Sequence, residues 1–297
     1  MTRARIAFAA SVGAALVLTA SACAPQPSST ANASSSSSTG GSAAASACST
    51  SSPDLYKSGQ LTVATDSPAY SPWFDNNNPS DGKGFESAVA YAVAAKLGFS
   101  KSQVKWVVEP FDNSYAPGAK NFDFDINEIS ITPQRAQAVD FSTGYYTADQ
   151  GVLVLNNSKY AKAGSLAALK DARIGVQVAT TSYQAVQDEI KPTHQPSVYN
   201  TTNDEVNALQ DGQIDAIVTD MPTVFYLASA ELSHGQILGE FNYDSATPEQ
   251  FGLLLKKGSG LTGCVDQAIA GLKADGSLAK ITEQWLSASA DVPHLKQ

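Results

Sequence analysis

The chain has few of the residues that build metal sites and catalytic nucleophiles, with three histidines and three cysteines in 297 residues. His194, His234 and His294 are far apart, and no pair has the spacing of metal ligands, so we predict no metal site. A glycine-rich phosphate loop and a Gly-x-Ser-x-Gly nucleophile elbow are also missing. We therefore expect no cofactor and no catalytic residue.

Basic residues are outnumbered as well. The chain contains 19 lysines and arginines and 28 aspartates and glutamates, which gives a formal net charge of −9. A chain this acidic does not attract a polyanion, so we expect no nucleic-acid partner. The hydrophobic content of 43% is enough for one sizeable core or two medium ones.

A hydrophobic run long enough to span a bilayer is absent near the N-terminus. The apolar stretch 6–19 is too short and too rich in alanine, and it ends in Ala20-Ser-Ala-Cys23. Two arginines precede it, which is the layout of an export signal. We expect residues 1–22 to be this signal and Cys23 to be lipidated, because a cysteine after small residues resembles a lipobox. An ordinary cleavable signal with an incidental cysteine is the alternative.

The next segment, 23–53, is rich in Ser, Ala, Thr and Gly. It has too few apolar side chains to bury, so we expect a flexible tether between the lipid anchor and the folded part. Cys48 lies at its end and Cys264 lies in a predicted helix. In an exported protein an isolated pair of cysteines favours a disulfide, so we predict the bond Cys48–Cys264. Two free thiols are the alternative.

The remaining chain alternates between predicted strands and predicted helices. The predicted strands are 60–65, 104–108, 124–131, 151–155, 173–178, 198–199, 214–219 and 251–256. The predicted helices are 84–97, 182–190, 203–210, 222–230, 261–272 and 278–285, with a further helix opened by Thr132-Pro133. This alternation predicts α/β sheets in which most strands are parallel.

One run carries the most specific chemistry. An apolar strand ends in the hydroxyl residues Ser130 and Thr132, Pro133 then opens a helix, and Arg135 lies in its first turn. This layout would gather free backbone N–H groups, hydroxyls and a guanidinium at one point. Such a group of donors suits a small carboxylate.

The run Ser130-Ile-Thr-Pro-Gln-Arg-Ala136, with Val139-Asp-Phe-Ser142 after it, resembles the signature of the bacterial extracellular solute-binding proteins of family 3. These are the amino-acid-binding proteins of ABC importers. The resemblance extends over residues 55–286 and implies a two-lobed type II periplasmic binding protein fold. Each lobe would be a mostly parallel sheet flanked by helices. Lobe 1 would comprise 54–146 and 250–297, lobe 2 would comprise 147–249, and two hinge crossings would join them.

The resemblance also implies which residues hold the ligand. Arg135 would fork the α-carboxylate, Thr132 would add a backbone N–H or hydroxyl there, and Ser130 would accept or donate a hydrogen bond near the α-ammonium. From lobe 2, Thr180 and Thr181 would add N–H and hydroxyl groups at a helix N-terminus, although simple helix capping explains a threonine there equally well.

Opposite the carboxylate, Asp220 would accept the α-ammonium, and its alternative role is a helix cap. Tyr70 and Phe111 would form the walls, unless they serve ordinary packing. Glu128 stands where family members often carry a small or neutral residue. A carboxylate at that depth is costly without a cation. With Asp66 nearby, it favours a ligand with a cationic side chain. The competing interpretation is that Glu128 pairs with an internal residue or bonds the ammonium of a neutral ligand.

The function that the resemblance implies is a monomeric lipoprotein on the outer face of the cell membrane, and not an enzyme. It would capture a polar or cationic amino acid and deliver it to an ABC permease. Two alternatives remain at this point. One is an enzyme similar to the cyclohexadienyl dehydratases, with Glu128 as a general acid. The other is a ligand sensor without a transport partner.

Overall fold

Two five-stranded sheets and a two-stranded ribbon contain the strands of the computed structural model, which describes residues 48–52, 54–243, 247–286 and 292–296. The predicted signal sequence, Cys23 and most of the predicted tether lie outside the described residues. Within the described ranges, none of the helices is both long enough and apolar enough to cross a bilayer.

The first sheet has the strand order β2-β1-β3-β12-β4. Its strands are β1 (Leu61–Thr65), β2 (Val104–Val108), β3 (Phe124–Asp125), β4 (Val139–Phe141) and β12 (Leu254–Lys256). The pairings are parallel between β1 and its neighbours β2 and β3, and antiparallel on both sides of β12. Four of the five strands therefore run in one direction. All residues of β1 are buried, as in a central strand covered on both faces.

Helices from both ends of the described chain cover this sheet. They are α1 (Phe85–Lys96), the short α2 (Phe111–Ser114), α6 (Thr262–Ala274) and α7 (Ser277–Leu286). A disulfide joins Cys48 to Cys264 in α6, which confirms the predicted pair. Gly84 precedes α1 with a φ of 92°, and an added Cβ there would overlap the backbone of Trp73 and Phe74. Only glycine fits that approach.

The second sheet has the order β10-β6-β9-β7-β8. Its strands are β6 (Gln150–Leu155), β7 (Ile174–Gln177), β8 (Ser197–Tyr199), β9 (Ala216–Asp220) and β10 (Gly235–Phe241). Here β7 is parallel to β8 and β9, and β6 is antiparallel to β9 and β10. The only strand of this sheet that runs against the others is β6. The expectation of mostly parallel sheets is thus confirmed in both lobes.

The helices of the second lobe are α3 (Thr181–Ala185), α4 (Thr202–Gln210) and α5 (Met221–Tyr226). A π-helical turn extends α3 through Val186–Ile190, and another extends α5 through Leu227–Glu231. Apolar side chains form two cores, one on each side of the sheet, and Val152 and Leu153 of β6 point into different ones. This division follows from the alternation of side chains along a strand.

Two chain crossings connect the lobes, as the predicted fold class requires. They pair as an antiparallel ribbon of β5 (Tyr146–Ala148) and β11 (Glu249–Phe251). The rings of Tyr146 and Phe251 pack on the buried ring of Trp73. The ribbon is therefore held against the core of the first lobe.

Three parts of the chain differ from the expectation. The strand predicted for 124–131 ends at Asp125, and further along Glu128 adopts a φ of 52°, which an extended strand does not allow. No regular α-helix follows Pro133, and Arg135–Gln137 form a single 3-10 turn. At the C-terminus, Leu295 packs into a core of the second lobe, whereas 250–297 was expected to return wholly to the first.

Candidate functional site

A narrow cavity of about 40 Å³ lies between the lobes, where the carboxyl ends of several strands meet. Crevices at the carboxyl ends of strands are the usual ligand sites of α/β sheets. Eight of the ten predicted ligand residues line it, namely Asp66, Tyr70, Phe111, Glu128, Ser130, Thr180, Thr181 and Asp220. The other lining residues are Pro68, Asn127, Gln177, Thr202, Thr219 and Thr223. Most of these side chains are polar, and none is basic.

Three carboxylates share this small space. Burial raises the pKa of Asp66, Glu128 and Asp220 above the usual range of carboxyl groups. For Glu128, the neighbouring acids Glu86, Asp220 and Asp66 raise the pKa further. Like charges that cannot be hydrated oppose ionisation, and a cation between them would relieve that cost. The cavity is therefore suited to a positively charged group.

Asp66 is fixed by the backbone around it. Its carboxylate accepts hydrogen bonds from the N–H of Ser67 at 2.6 Å and of Phe111 at 3.4 Å. These two bonds lower its pKa and partly oppose the effect of burial. Asp66 is the residue directly after β1, so its side chain reaches the cavity from the carboxyl end of the central strand.

Glu128 is held through its backbone by a buried acid of α1. The Oε1 atom of Glu86 accepts a hydrogen bond from the N–H of Glu128 at 2.7 Å and another from the hydroxyl of Tyr145. Burial raises the pKa of Glu86 to about 7. The positive φ of Glu128 turns its side chain out of the strand direction, and the side chain lines the cavity.

Asp220 is the last residue of β9 and precedes α5, but its side chain does not cap that helix. Instead its Oδ1 atom accepts a hydrogen bond from Nε2 of Gln150 at 2.8 Å. Burial and the nearby Glu249 raise its pKa, whereas Gln150 and Arg135 lower it. The helix-cap alternative is thus not what the geometry shows.

Arg135 and Thr132 line a second, neighbouring cavity, and the structure does not place them on the cavity that Asp220 lines. Thr181 lines both cavities. The Arg135 guanidinium donates to the carbonyl oxygens of Ser130 at 2.8 Å and of Ala179 at 3.0 Å. Ala179 belongs to the second lobe, so this side chain bridges the cleft.

Aromatic rings enclose the same guanidinium. Its carbon lies 4.7 Å from the ring centre of Tyr115 and 5.5 Å from that of Phe111. Burial lowers the pKa of Arg135, and Tyr115, Glu249 and Asp220 oppose that shift. Stacked planar cations of this kind keep a defined orientation.

A carboxylate of the chain itself occupies the hydroxyl pair predicted to bind the ligand. Oε1 of Glu249 lies 2.5 Å from Oγ of Ser130 and 2.5 Å from Oγ1 of Thr181, and both hydroxyls donate to it. Its Oε2 atom accepts from Nε2 of Gln150 at 3.1 Å. Since Gln150 also donates to Asp220, one amide links the two acids.

A match to a protein family identifies the class of protein to which this two-lobed cleft belongs. Residues 61–288 match the family of bacterial extracellular solute-binding proteins, family 3. The chain belongs to this family.

Individual family 3 relatives span most of the folded part. The glutamine-binding protein GlnH of an ABC transporter of Bacillus subtilis (strain 168) is 28% identical over 220 residues, covering 72% of this chain and 77% of the relative. The ABC transporter arginine-binding protein 1 of Escherichia coli (strain K12) is 28% identical over 216 residues, covering 68% and 81%. The crystal structure of the ancestral amino acid-binding protein AncCDT-1, a precursor of cyclohexadienyl dehydratase, is 30% identical, with a TM-score of 0.63 and coverage of 76% and 95%.

Sequence reasoning missed several polar residues of this family 3 site. Gln150 begins β6, Glu249 begins the hinge strand β11, and Thr223 lies in α5. None of them belongs to the motif that pointed to the cleft. Their only sequence signal was a polar residue at the start of a strand or within the first turn of a helix. Among the described residues, no cluster of His, Cys, Asp or Glu is arranged to hold a metal ion.

Proposed function

We propose that this family 3 protein captures a cationic amino acid between its lobes and delivers it to an ABC permease. The observation that carries the proposal is the cavity between the lobes, lined by Asp66, Glu128 and Asp220 and by no basic residue. An α-ammonium beside Asp220 and a cationic side chain between Asp66 and Glu128 would balance these charges. The relatives named for arginine and glutamine binding support an amino acid as the ligand.

The carboxylate of that ligand would lie at the opposite end, among Ser130, Thr132, Thr181 and Arg135. Thr181 lines both cavities, so it marks the point where they meet. The guanidinium of Arg135 now donates to the carbonyl of Ala179 across the cleft. We propose that this donor turns to the ligand, because a charged acceptor forms a stronger hydrogen bond than a carbonyl oxygen.

Closure of the lobes would then depend on the ligand. Thr180, Thr181 and Asp220 approach from the second lobe, while Tyr70 and Phe111 form walls on the first. Contacts made by both lobes stabilise the closed state more than the open one. We further propose that the protein works outside the cytoplasm as a monomer anchored through Cys23, in keeping with the extracellular character of the family.

Isothermal titration calorimetry with L-arginine, L-lysine, L-ornithine, L-histidine and L-glutamine tests the proposal. At least one cationic amino acid should bind more tightly than glutamine. Asp220→Asn should weaken that binding roughly 30-fold or more, the cost of removing one partner of a buried charge pair. Asp211→Asn, an exposed residue after α4, is the matched control and should leave the affinity unchanged. Equal affinity of wild type and Asp220→Asn would contradict the ammonium role.

A second variant tests the proposed site for the ligand's carboxylate. A ligand that binds the folded state raises the melting temperature by mass action. Arg135→Ala should abolish that rise for the amino acid found by calorimetry, because no other guanidinium of the described residues borders either cavity. An undiminished rise would show that the carboxylate assignment is wrong.

The two alternative functions are less well supported. The two ABC transporter relatives are named as binding proteins, and the ancestral protein with a link to a dehydratase is itself named as an amino acid-binding precursor. Mixing the protein with prephenate or arogenate and following the absorbance of the aromatic product tests the enzyme. Permease and ATPase genes beside this gene distinguish transport from sensing alone.

A further inference from the structure

Glu249 bridges the two lobes from the hinge. It is the first residue of β11, in the second chain crossing, and its exposure is only 9%. One carboxylate oxygen, Oε1, accepts hydrogen bonds from Ser130 of the first lobe and Thr181 of the second. A single atom of the hinge thus connects donors that would separate when the cleft opens.

The same two hydroxyls are those that the proposed function assigns to the ligand's carboxylate. Both donors already bond a carboxylate of the chain, and they lie 3.3 Å from each other. Glu249 also favours the charged form of Arg135, the other member of the carboxylate end. In donor set and charge, its side chain therefore imitates the ligand's carboxylate.

Gln150 extends this arrangement to the other end of the site. Its Nε2 atom donates to Oε2 of Glu249 at 3.1 Å and to Oδ1 of Asp220 at 2.8 Å. The internal carboxylate and the proposed ammonium acceptor are therefore held at a fixed spacing by one amide. A ligand that displaces Glu249 also changes a contact of Asp220.

We propose that Glu249 is an internal competitor for the carboxylate site. Its side chain holds the lobes closed without ligand and leaves the two hydroxyls when an amino acid binds. The proposal deepens the proposed function and rests on it. Glu249 and a bound carboxylate repel each other, whereas an uncharged amide at the same end of the ligand is not repelled. Glu249 therefore reduces the ratio of the affinity for an amino acid to the affinity for its amide.

The affinity test compares L-arginine with L-argininamide on wild type and Glu249→Gln. The amide of glutamine keeps the shape of the side chain and removes its charge. The preference for arginine over argininamide should increase about tenfold in the variant, as expected for the loss of one close like-charge pair. Glu283→Gln, the same change at an exposed position of α7, should keep the wild-type ratio. A purely structural role would change both affinities by the same factor, and an unchanged ratio would overturn the proposal.

A second variant tests closure without any ligand. Glu249→Ala removes both hydrogen bonds from the hinge to the hydroxyls of Ser130 and Thr181. Its radius of gyration in small-angle X-ray scattering should exceed that of wild type and of Glu283→Gln. Equal radii for all three proteins would overturn the closing role.

The two tests also separate this proposal from the proposed function. If neither arginine nor argininamide binds, the cationic-ligand proposal fails at this probe, and the scattering experiment still decides on Glu249. If arginine binds but the ratio and the radius do not change, only the role of Glu249 fails. Should Glu249→Gln not fold, Glu249→Asp replaces it, because its shorter side chain withdraws the carboxylate from the two hydroxyls and should increase the ratio as well.

Discussion

The indole N–H of Trp73 donates a hydrogen bond to the hydroxyl of Thr223 at 2.8 Å, although the two residues belong to different lobes. Trp73 is fully buried in the first core, and Thr223 lies in α5 of the second lobe, where it also lines the cavity. Because its two partners belong to different lobes, we expect the bond to break when the lobes separate. It is thus a direct contribution of the protein to the closed state.

Removing this bond should favour the open state. Trp73→Phe keeps an aromatic ring in the core but leaves the Thr223 hydroxyl without its donor. We expect ligand affinity to fall about five- to tenfold, in line with the net value of one buried hydrogen bond. Titration calorimetry of Trp73→Phe, Thr223→Val and the double variant measures the coupling. If the two single effects simply add, the bond makes no contribution to closure.

The disulfide should account for a large part of the stability. The bond Cys48–Cys264 closes a loop with a sequence separation of 216, which restricts the unfolded chain strongly. We expect the double variant Cys48→Ala/Cys264→Ala to lose about 2–5 kcal/mol in free energy of unfolding. Urea denaturation measures the loss. A reducing agent should lower the stability of wild type and leave the variant unchanged, and equal sensitivity of both would contradict the prediction.

Stability should also depend on pH through Glu86. Its pKa in the folded protein, about 7, lies above the ordinary value of 4.5. A raised pKa means that the folded state holds the proton more tightly, so the stabilisation is complete below pH 4.5 and is lost as the pH rises through 7. Between pH 5 and pH 8, the free energy of unfolding should therefore fall by about 2 kcal/mol less in Glu86→Gln than in wild type.

Urea denaturation at the two pH values checks this expectation. Glutamine can still accept the hydrogen bonds from Tyr145 and the N–H of Glu128, so packing and bonding change little. Glu283→Gln serves again as the exposed control and should follow the wild-type pH dependence. A parallel pH dependence for Glu86→Gln and wild type would show that another group is responsible.

Local sequence patterns predicted much of the fold and of the candidate site. Alternating strands and helices placed Asp66, Phe111 and Asp220 near the carboxyl ends of strands, and the structure brings all three to one cavity. This works because the carboxyl ends of parallel strands meet at one edge of a sheet. The roles of these residues stay predictions until a ligand is bound.

Other features depend on contacts that no local pattern contains. The orientation of Arg135 follows from the carbonyl of Ala179 in the other lobe, and the turn at Glu128 follows from Glu86 in α1. Glu249 belongs to a three-residue strand with no motif of its own. Its role arises only when the hinge brings it between Ser130 and Thr181. Long-range hydrogen bonds of this kind are set by the assembled fold rather than by neighbouring residues.

The bond between Cys48 and α6 joins the start of the described chain to the first lobe. A force transmitted through the residues before Cys48 would act on the first lobe, because the disulfide joins Cys48 to a helix of that lobe. The second lobe is connected to that lobe through the ribbon of β5 and β11. With the proposed anchor at Cys23, the first lobe would be the one held near the membrane, and capture of a ligand would move the second lobe towards it.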